Sequence, residues 1–216
     1  MTKSIISRIL CAGLLCVSLV STAQKTFEGT IVYTLDFSGE GLPPEAKQMM
    51  AGSEMTVIMK GEKARTDVNM TMQKTTSIAD AKTKTSFVLM DFMGQKLKIT
   101  HKAEDKTPEV KVKELPETKE IAGYKCKKAE LTMGGQNEPV TVYYTDDIAN
   151  NGYNSQIKGI KGYPLQFEIN QGGMKITYLA KSVSLDKVDD AKFNIDTKEY
   201  KEVTQDDLTK MIQGGH

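Results

Sequence analysis

Apolar and polar side chains alternate from Thr26 to Phe37. Phe27, Gly29, Ile31, Tyr33, Leu35 and Phe37 fall on one side, and Thr30, Val32, Thr34 and Asp36 on the other. A period of two over this length predicts a half-buried strand. Gly39 and Gly41 end it. The stretch Leu42 to Ala51, with Pro43-Pro44 near its start and Gly52 after it, predicts a short helix with Leu42, Ala46 and Met49 or Met50 on one face. Strand-like segments follow at Glu54 to Lys60, Lys63 to Met70, Gln73 to Asp80, Lys84 to Asp91 and Lys96 to His101, joined by short glycine-containing turns. Lys102 to Glu120 is densely charged and carries Pro108 and Pro116, the signature of an exposed edge strand or a bridging loop. Further strands are predicted at Tyr124 to Met133, Val140 to Thr145, Tyr163 to Asn170 and Lys175 to Leu185. Between them Asp146 to Ile157 reads as a surface loop, and Gln205 to Ile212 as one or two helical turns. The expected fold is mainly β: a meander or barrel of antiparallel strands with one or two short helices.

The first residues do not share this pattern. Lys3 and Arg8 precede or flank an apolar run from Ile9 to Val20 that closes on Ser21-Thr22-Ala23. This is the layout of a cleaved export signal, and the run is shorter than a membrane span. Residues 1–23 are therefore set apart as a signal peptide, and 24–216 as one β domain of about 193 residues. Cys11 and Cys16 lie inside the leader without the small residue before and polar stretch after that lipid attachment uses. The expectation is a periplasmic or secreted protein, with a lipoprotein as the alternative.

Removing Lys3 and Arg8 leaves 27 basic against 28 acidic residues, a balance that favours neither nucleic acid nor an anionic membrane. The mature chain is expected not to be an integral membrane protein. It keeps one arginine, Arg65, and one cysteine, Cys126, so no internal disulfide can form. Candidate chemistry is sparse. His101 and His216 are the only histidines, no cysteine or histidine cluster has metal-ligand spacing, and the Asp146-Asp147 and Asp189-Asp190 pairs lack the glycine and later glutamate of a calcium loop. These absences point to a non-catalytic protein with no cofactor and no metal. Cys126 sits on a strand with Lys125 and Lys127 directed to the opposite face, which predicts a small buried side chain. The unusual feature is methionine, eleven in the mature chain beside no tryptophan. Met49, Met50, Met55, Met59, Met70, Met72 and Met90, with Arg65, are the candidate lining of an apolar ligand cavity; the other reading is a methionine-filled core.

Three stretches carry a resemblance: Gly123-Tyr124-Lys125-Cys126-Lys127-Lys128-Ala129, Val142-Tyr143-Tyr144-Thr145, and Lys161-Gly162-Tyr163-Pro164-Leu165. They resemble exported proteins of an uncharacterised-domain family related to the GLPGLI proteins, which share the fold of the LolA and LolB lipoprotein carriers. Tyr143 stands where those proteins have tryptophan. The resemblance implies an incomplete β-barrel, a strongly curved antiparallel sheet with short helices plugging its concave side. It implies acyl chains as cargo and an arginine in the pocket, for which Arg65 is the candidate. Two functions are therefore expected in turn: a periplasmic carrier of a lipid or other apolar molecule, or an envelope structural or protein-interaction module with a filled core and a pairing edge within Lys102 to Glu120.

Overall fold

The computed structural model describes residues 27–39, 42–71, 73–92, 94–102, 110–133, 138–150, 157–171, 173–204, 206–208 and 210. Residues 1–23, where an export signal is expected, and Met72 lie outside them. The first strand is β1 (Gly29–Ser38), followed by the helix α1 (Pro44–Met50). Then come β2 (Glu54–Lys60), β3 (Lys63–Asn69), β4 (Gln73–Asp80), β5 (Thr85–Phe92) and β6 (Gln95–Lys102). The second run is β7 (Val110–Ile121), β8 (Tyr124–Met133), β9 (Val140–Ala149), β10 (Gly162–Gln171) and β11 (Met174–Ser184). A 3-10 turn (Asp190–Phe193) and a two-residue strand β12 (Lys201–Glu202) follow.

All twelve strands form one open, curved sheet in the order β12-β6-β5-β4-β3-β2-β1-β11-β10-β9-β8-β7, which does not close into a barrel. The sheet is thus two antiparallel meanders, β1 to β6 and β7 to β11, joined where the first strand pairs with the eleventh. Only β12 runs parallel to its neighbour. The expected edge strand within Lys102 to Glu120 is β7, ten of whose twelve residues pair with β8, its one neighbour among the described residues. Its turn into β8 places Ala122 at φ 50° and Gly123 at φ 82°, the left-handed pair that a two-residue hairpin needs to match strand twist. The loop expected from Asp146 begins later, because β9 continues to Ala149.

The main core lies on one face of the sheet, here called inner. It gathers Ile31, Tyr33 and Phe37 of β1, Met55, Val57 and Met59 of β2, Ala129 and Leu131 of β8, Val142 and Tyr144 of β9, and Leu165 and Phe167 of β10. Tyr33 is fully buried, meets Phe167 edge to face at 6.0 Å, and donates its hydroxyl to the Pro164 carbonyl at 2.7 Å. That carbonyl is placed for a side chain because β10 shifts register against β9 between Pro164 and Gln166. Gly162 sits at a second shift, between it and Tyr163, where an added Cβ would meet the Thr145 carbonyl oxygen at 2.2 Å. The Gly-Tyr-Pro-Leu stretch is therefore a packing device: glycine for close approach, a fully buried Tyr163, and a carbonyl that ties β10 to β1 across β11.

α1 departs from the expected plug. It buries none of its residues, and only Leu42 and Met50 touch the core, at its rim. Seven residues with two prolines at the start make too short an apolar stripe to cover a sheet.

Tyr33→Phe removes the donor to Pro164 and leaves a buried carbonyl unpartnered, a loss of about 1–3 kcal/mol. Chemical denaturation should show a lower midpoint with an unchanged slope; an unchanged midpoint would mean that the bond does not contribute.

Candidate functional site

Register fixes which side chains share a face, since directly paired residues point the same way. Across β2 to β6 the inner face holds three rows: Met55, Val68, Thr75, Met90 and Leu97; Val57, Thr66, Ser77, Val88 and Ile99; and Met59, Ala64, Ala79, Ser86 and His101. At the two flanks these residues are buried, in the main core on β2 and, on β6, in a small cluster where Leu97 and Ile99 meet Leu208. Between the flanks Thr66, Val68, Thr75, Ser77, Ala79, Ser86, Val88 and Met90 are half-buried. None carries a charge. His101 alone, exposed at the end of its row, is titratable.

The outer face of the same strands is built differently. Its middle row is Ile58, Arg65, Ile78, Phe87 and Thr100, and the rest includes Asp67, Asp80, Lys96 and Lys98. A strap formed by residues 186–203 crosses it. Lys60 donates to the Val188 carbonyl at 2.9 Å and pairs with Asp190 at 3.1 Å. Phe193 and Val188 pack on Ile58. β12 then adds to β6, Val203 donates to the Lys98 carbonyl at 2.9 Å, and Thr100 donates to Glu202 at 2.8 Å. The predicted final helix is seen at Asp206–Leu208, where Thr204 and Asp207 cap each other's backbone N–H groups. Leu208 brings the chain round the edge to the inner face.

The proposed lining residues do not share one cavity. Met55 and Met59 are core filling, Met59 being wholly buried. Met50 and Met70 border that core half-buried, Met90 belongs to the cluster around Leu97, and Met49 is exposed. Arg65 lies on the opposite face. Its Nε meets both Asp67 carboxylate oxygens at 3.0 and 2.9 Å, Thr76 donates to the same carboxylate, and its guanidinium donates to the Lys192 carbonyl at 2.9 Å. Arg65 therefore anchors the strap, and the single arginine among the described residues is absent from the inner face. The hydroxyl and alanine residues of β3 to β5, which look polar or featureless in sequence, line it together with Val68, Val88 and the candidate Met90.

Other candidates have structural partners. Asp146 pairs with Lys127, Asp189 caps the 3-10 turn, and Asp190 holds Lys60. Among the described residues no group of three or more His, Cys, Asp or Glu side chains is placed to hold a metal ion. Cys126 is fully buried in the core, as is Ala129, on either side of the Lys127–Lys128 step opposite which β7 shifts register. Burial, with a smaller effect of Asp147, pushes its thiol from 9.0 up to about 11. Burial likewise raises Tyr33 and Tyr163, and raises Tyr144, which also donates to Glu114, to about 12. No helix among the described residues is long and apolar enough to cross a membrane.

Fold and face together define an open-sheet β protein with a packed core where its two meanders join and an uncharged inner surface on β3 to β5. The chain belongs to the family described as domain of unknown function DUF4412, whose sequence profile matches residues 45–155. That match runs from α1 to just beyond β9, so it contains the uncharged face and omits β1, β10, β11 and the strap. No curated protein matches the chain. Among solved structures it is similar in fold to PNGF-II: in one crystal form the identity is 19% and the TM-score 0.51, with 86% of this chain and 33% of that one covered. In a second crystal form the values are 19%, 0.49, 85% and 32%. This chain thus spans about a third of PNGF-II.

Two predictions follow from these placements. Buried thiol and phenols hold their protons longer in the folded chain than in the unfolded one, so their stabilisation is complete below the unfolded values and is lost as pH rises through the folded ones. Thermal melts should fall progressively above about pH 9, and Cys126→Ala should lose less than the parent between pH 9.0 and about 11; parallel curves would show that the thiol plays no part. Arg65→Ala should speed amide exchange of residues 186–194 by about tenfold or more through loss of a charge-assisted bond, and unchanged exchange would remove Arg65 as the anchor.

Proposed function

We propose that this is an exported, non-catalytic binding protein that carries a lipid or another uncharged apolar molecule on the inner face of β3 to β5. The observation that carries the reading is the block of eight half-buried residues, from Thr66 to Met90, without a charge among them. A charged ligand would have to shed water there against no counter-ion. An apolar one covering about 300 Å² would gain about 7 kcal/mol at about 25 cal/mol per Å², before the cost of association. Val68, Val88 and Met90 supply apolar contact, and the hydroxyls of Thr66, Thr75, Ser77 and Ser86 supply a few orienting bonds, the mixture that ligand sites use. Met70 at the rim adapts to irregular shapes. The leader pattern and the likeness to GLPGLI and LolA-type proteins support export and an acyl cargo.

A second reading, an envelope interaction module without a small ligand, is favoured by one observation. Met55 and Met59, the inward methionines of β2, are sealed in the core.

Native mass spectrometry of protein purified from its own source, with organic extraction of any adduct, separates the two. The carrier reading expects a stoichiometric apolar adduct, and Val88→Lys or Ser77→Lys should reduce its retention by about tenfold or more, since a lysine there must stay hydrated. Bare protein whose melting temperature does not respond to added lipid would sink the carrier reading in favour of the module.

A further inference from the structure

We propose that the free edge of β7 from Val110 to Leu115 docks an extended segment of another protein in which acidic and apolar side chains alternate. The two edges of the sheet are treated unequally. β6 is paired by the chain's own β12 at Leu97 and Lys98 and packed by Leu208, whereas among the described residues β7 pairs only with β8. An open edge presents a row of backbone donors and acceptors to any added strand, and proteins block such edges with proline, bulges and charge. Here the blocking devices lie in one half. Pro116 and Glu117 are extra residues in a register shift between Leu115 and Thr118, while Val110 to Leu115 pair with Met133 to Lys128 in six unbroken steps.

An added strand would meet two different surfaces. On the outer side it faces Lys111 and Lys113. Lys111 has no ion pair among the described residues, and Lys113, though 3.0 Å from Glu130, is 71% exposed. On the inner side it faces Val110 and Val112, the latter 39% exposed, against which Gly159 is held so closely that an added Cβ would lie 3.0–3.2 Å from their side chains. Directly beside Val112 and Glu114 opens a cavity of about 420 Å³ over the buried side chains of Tyr144 and Ile160. That is ample for a leucine or phenylalanine side chain from the incoming strand.

The charges around it decide the partner's sign. Glu114 accepts from the Tyr144 hydroxyl at 2.7 Å, and Asp146 is paired with Lys127. Lys161, at the cavity mouth, has no ion pair among the described residues, and Glu114 has none either, its hydrogen bond coming from a neutral phenol, so the edge keeps Lys111 and Lys161 against one carboxylate and is net positive. Strand addition draws affinity from backbone bonds and specificity from pockets for alternate side chains, with rim charges selecting the partner.

The test uses the full mature chain and two blocked peptides, Glu-Phe-Glu-Leu-Glu-Val and its charge-reversed form Lys-Phe-Lys-Leu-Lys-Val. The acidic peptide should slow amide exchange across Val110–Leu115 and leave β6 and β12 unchanged. The double variant Lys111→Glu/Lys113→Glu, confined to exposed positions, should shift preference toward the basic peptide by about tenfold. Absence of protection at about millimolar acidic peptide, a weak Kd by any measure, would overturn the proposal, as would equal binding of both peptides. Sedimentation showing a dimer that the double variant disperses would also overturn it, by giving this edge to a second copy of the chain.

Discussion

One covalent constraint shapes this molecule: β6 and β7 are consecutive in the chain but lie ten strand spacings apart in the sheet. At about 4.8 Å per spacing, a flat sheet would separate them by about 48 Å. The stretch 103–109 that joins them can reach about 28 Å when fully extended. The sheet must therefore bend until its two ends approach, whatever its side chains prefer. Curvature gives the sheet an inside, and the inside is where β1 and β2 meet the large side chains of β8 to β10. The Tyr33 hydroxyl, reaching over β11 to Pro164, is a local expression of the same bend.

Bending leaves the outer face of β2 to β6 in need of cover, and the C-terminal strap provides it. Lys60 and Arg65 hold the strap by its backbone carbonyls, Phe193 and Val188 fill the apolar step at Ile58, and β12 closes the β6 edge. The consequence for function is indirect but firm. Because the strap takes the arginine, the lysines and the aromatic Phe87 to the outer side, the inner side is left to threonine, serine, alanine, valine and methionine. Charge neutrality of the inner face is thus the counterpart of an outer face that needs charge to fasten a chain segment.

Much of the strand pattern was legible in the alternation alone: Glu54 to Lys60, Gln73 to Asp80 and Tyr124 to Met133 have the same ends in sequence and structure. Burial of Cys126 was also legible, from the lysines flanking it. The candidate site was not, and the reason is specific to β3 to β5. There the residues that look apolar, Ile78, Phe87 and Leu89, face outward under the strap or its borders, while those that look neutral, Thr66, Ser77 and Ala79, face inward. A period-two pattern identifies two faces but does not say which is the inside when both are partly covered. Arg65 was drawn toward the ligand by resemblance to carriers with a pocket arginine; its register with Ile58 and Ile78 puts it outside. Two-residue β12 leaves no pattern at all, since its pairing depends on where a distant strap happens to end.

The central ladder has a further consequence for how the chain reaches this form. Partners in β1 and β11 are separated by between 137 and 154 residues, from Ser38 with Lys175 to Thr30 with Ser184. Each meander can assemble from neighbours joined by short turns, but closing a loop of that size costs entropy that only the finished halves can repay. β1, the first strand of the described residues, is thus the last to be satisfied, and until β11 arrives its row of Ile31, Tyr33, Leu35 and Phe37 has a sheet on one side only.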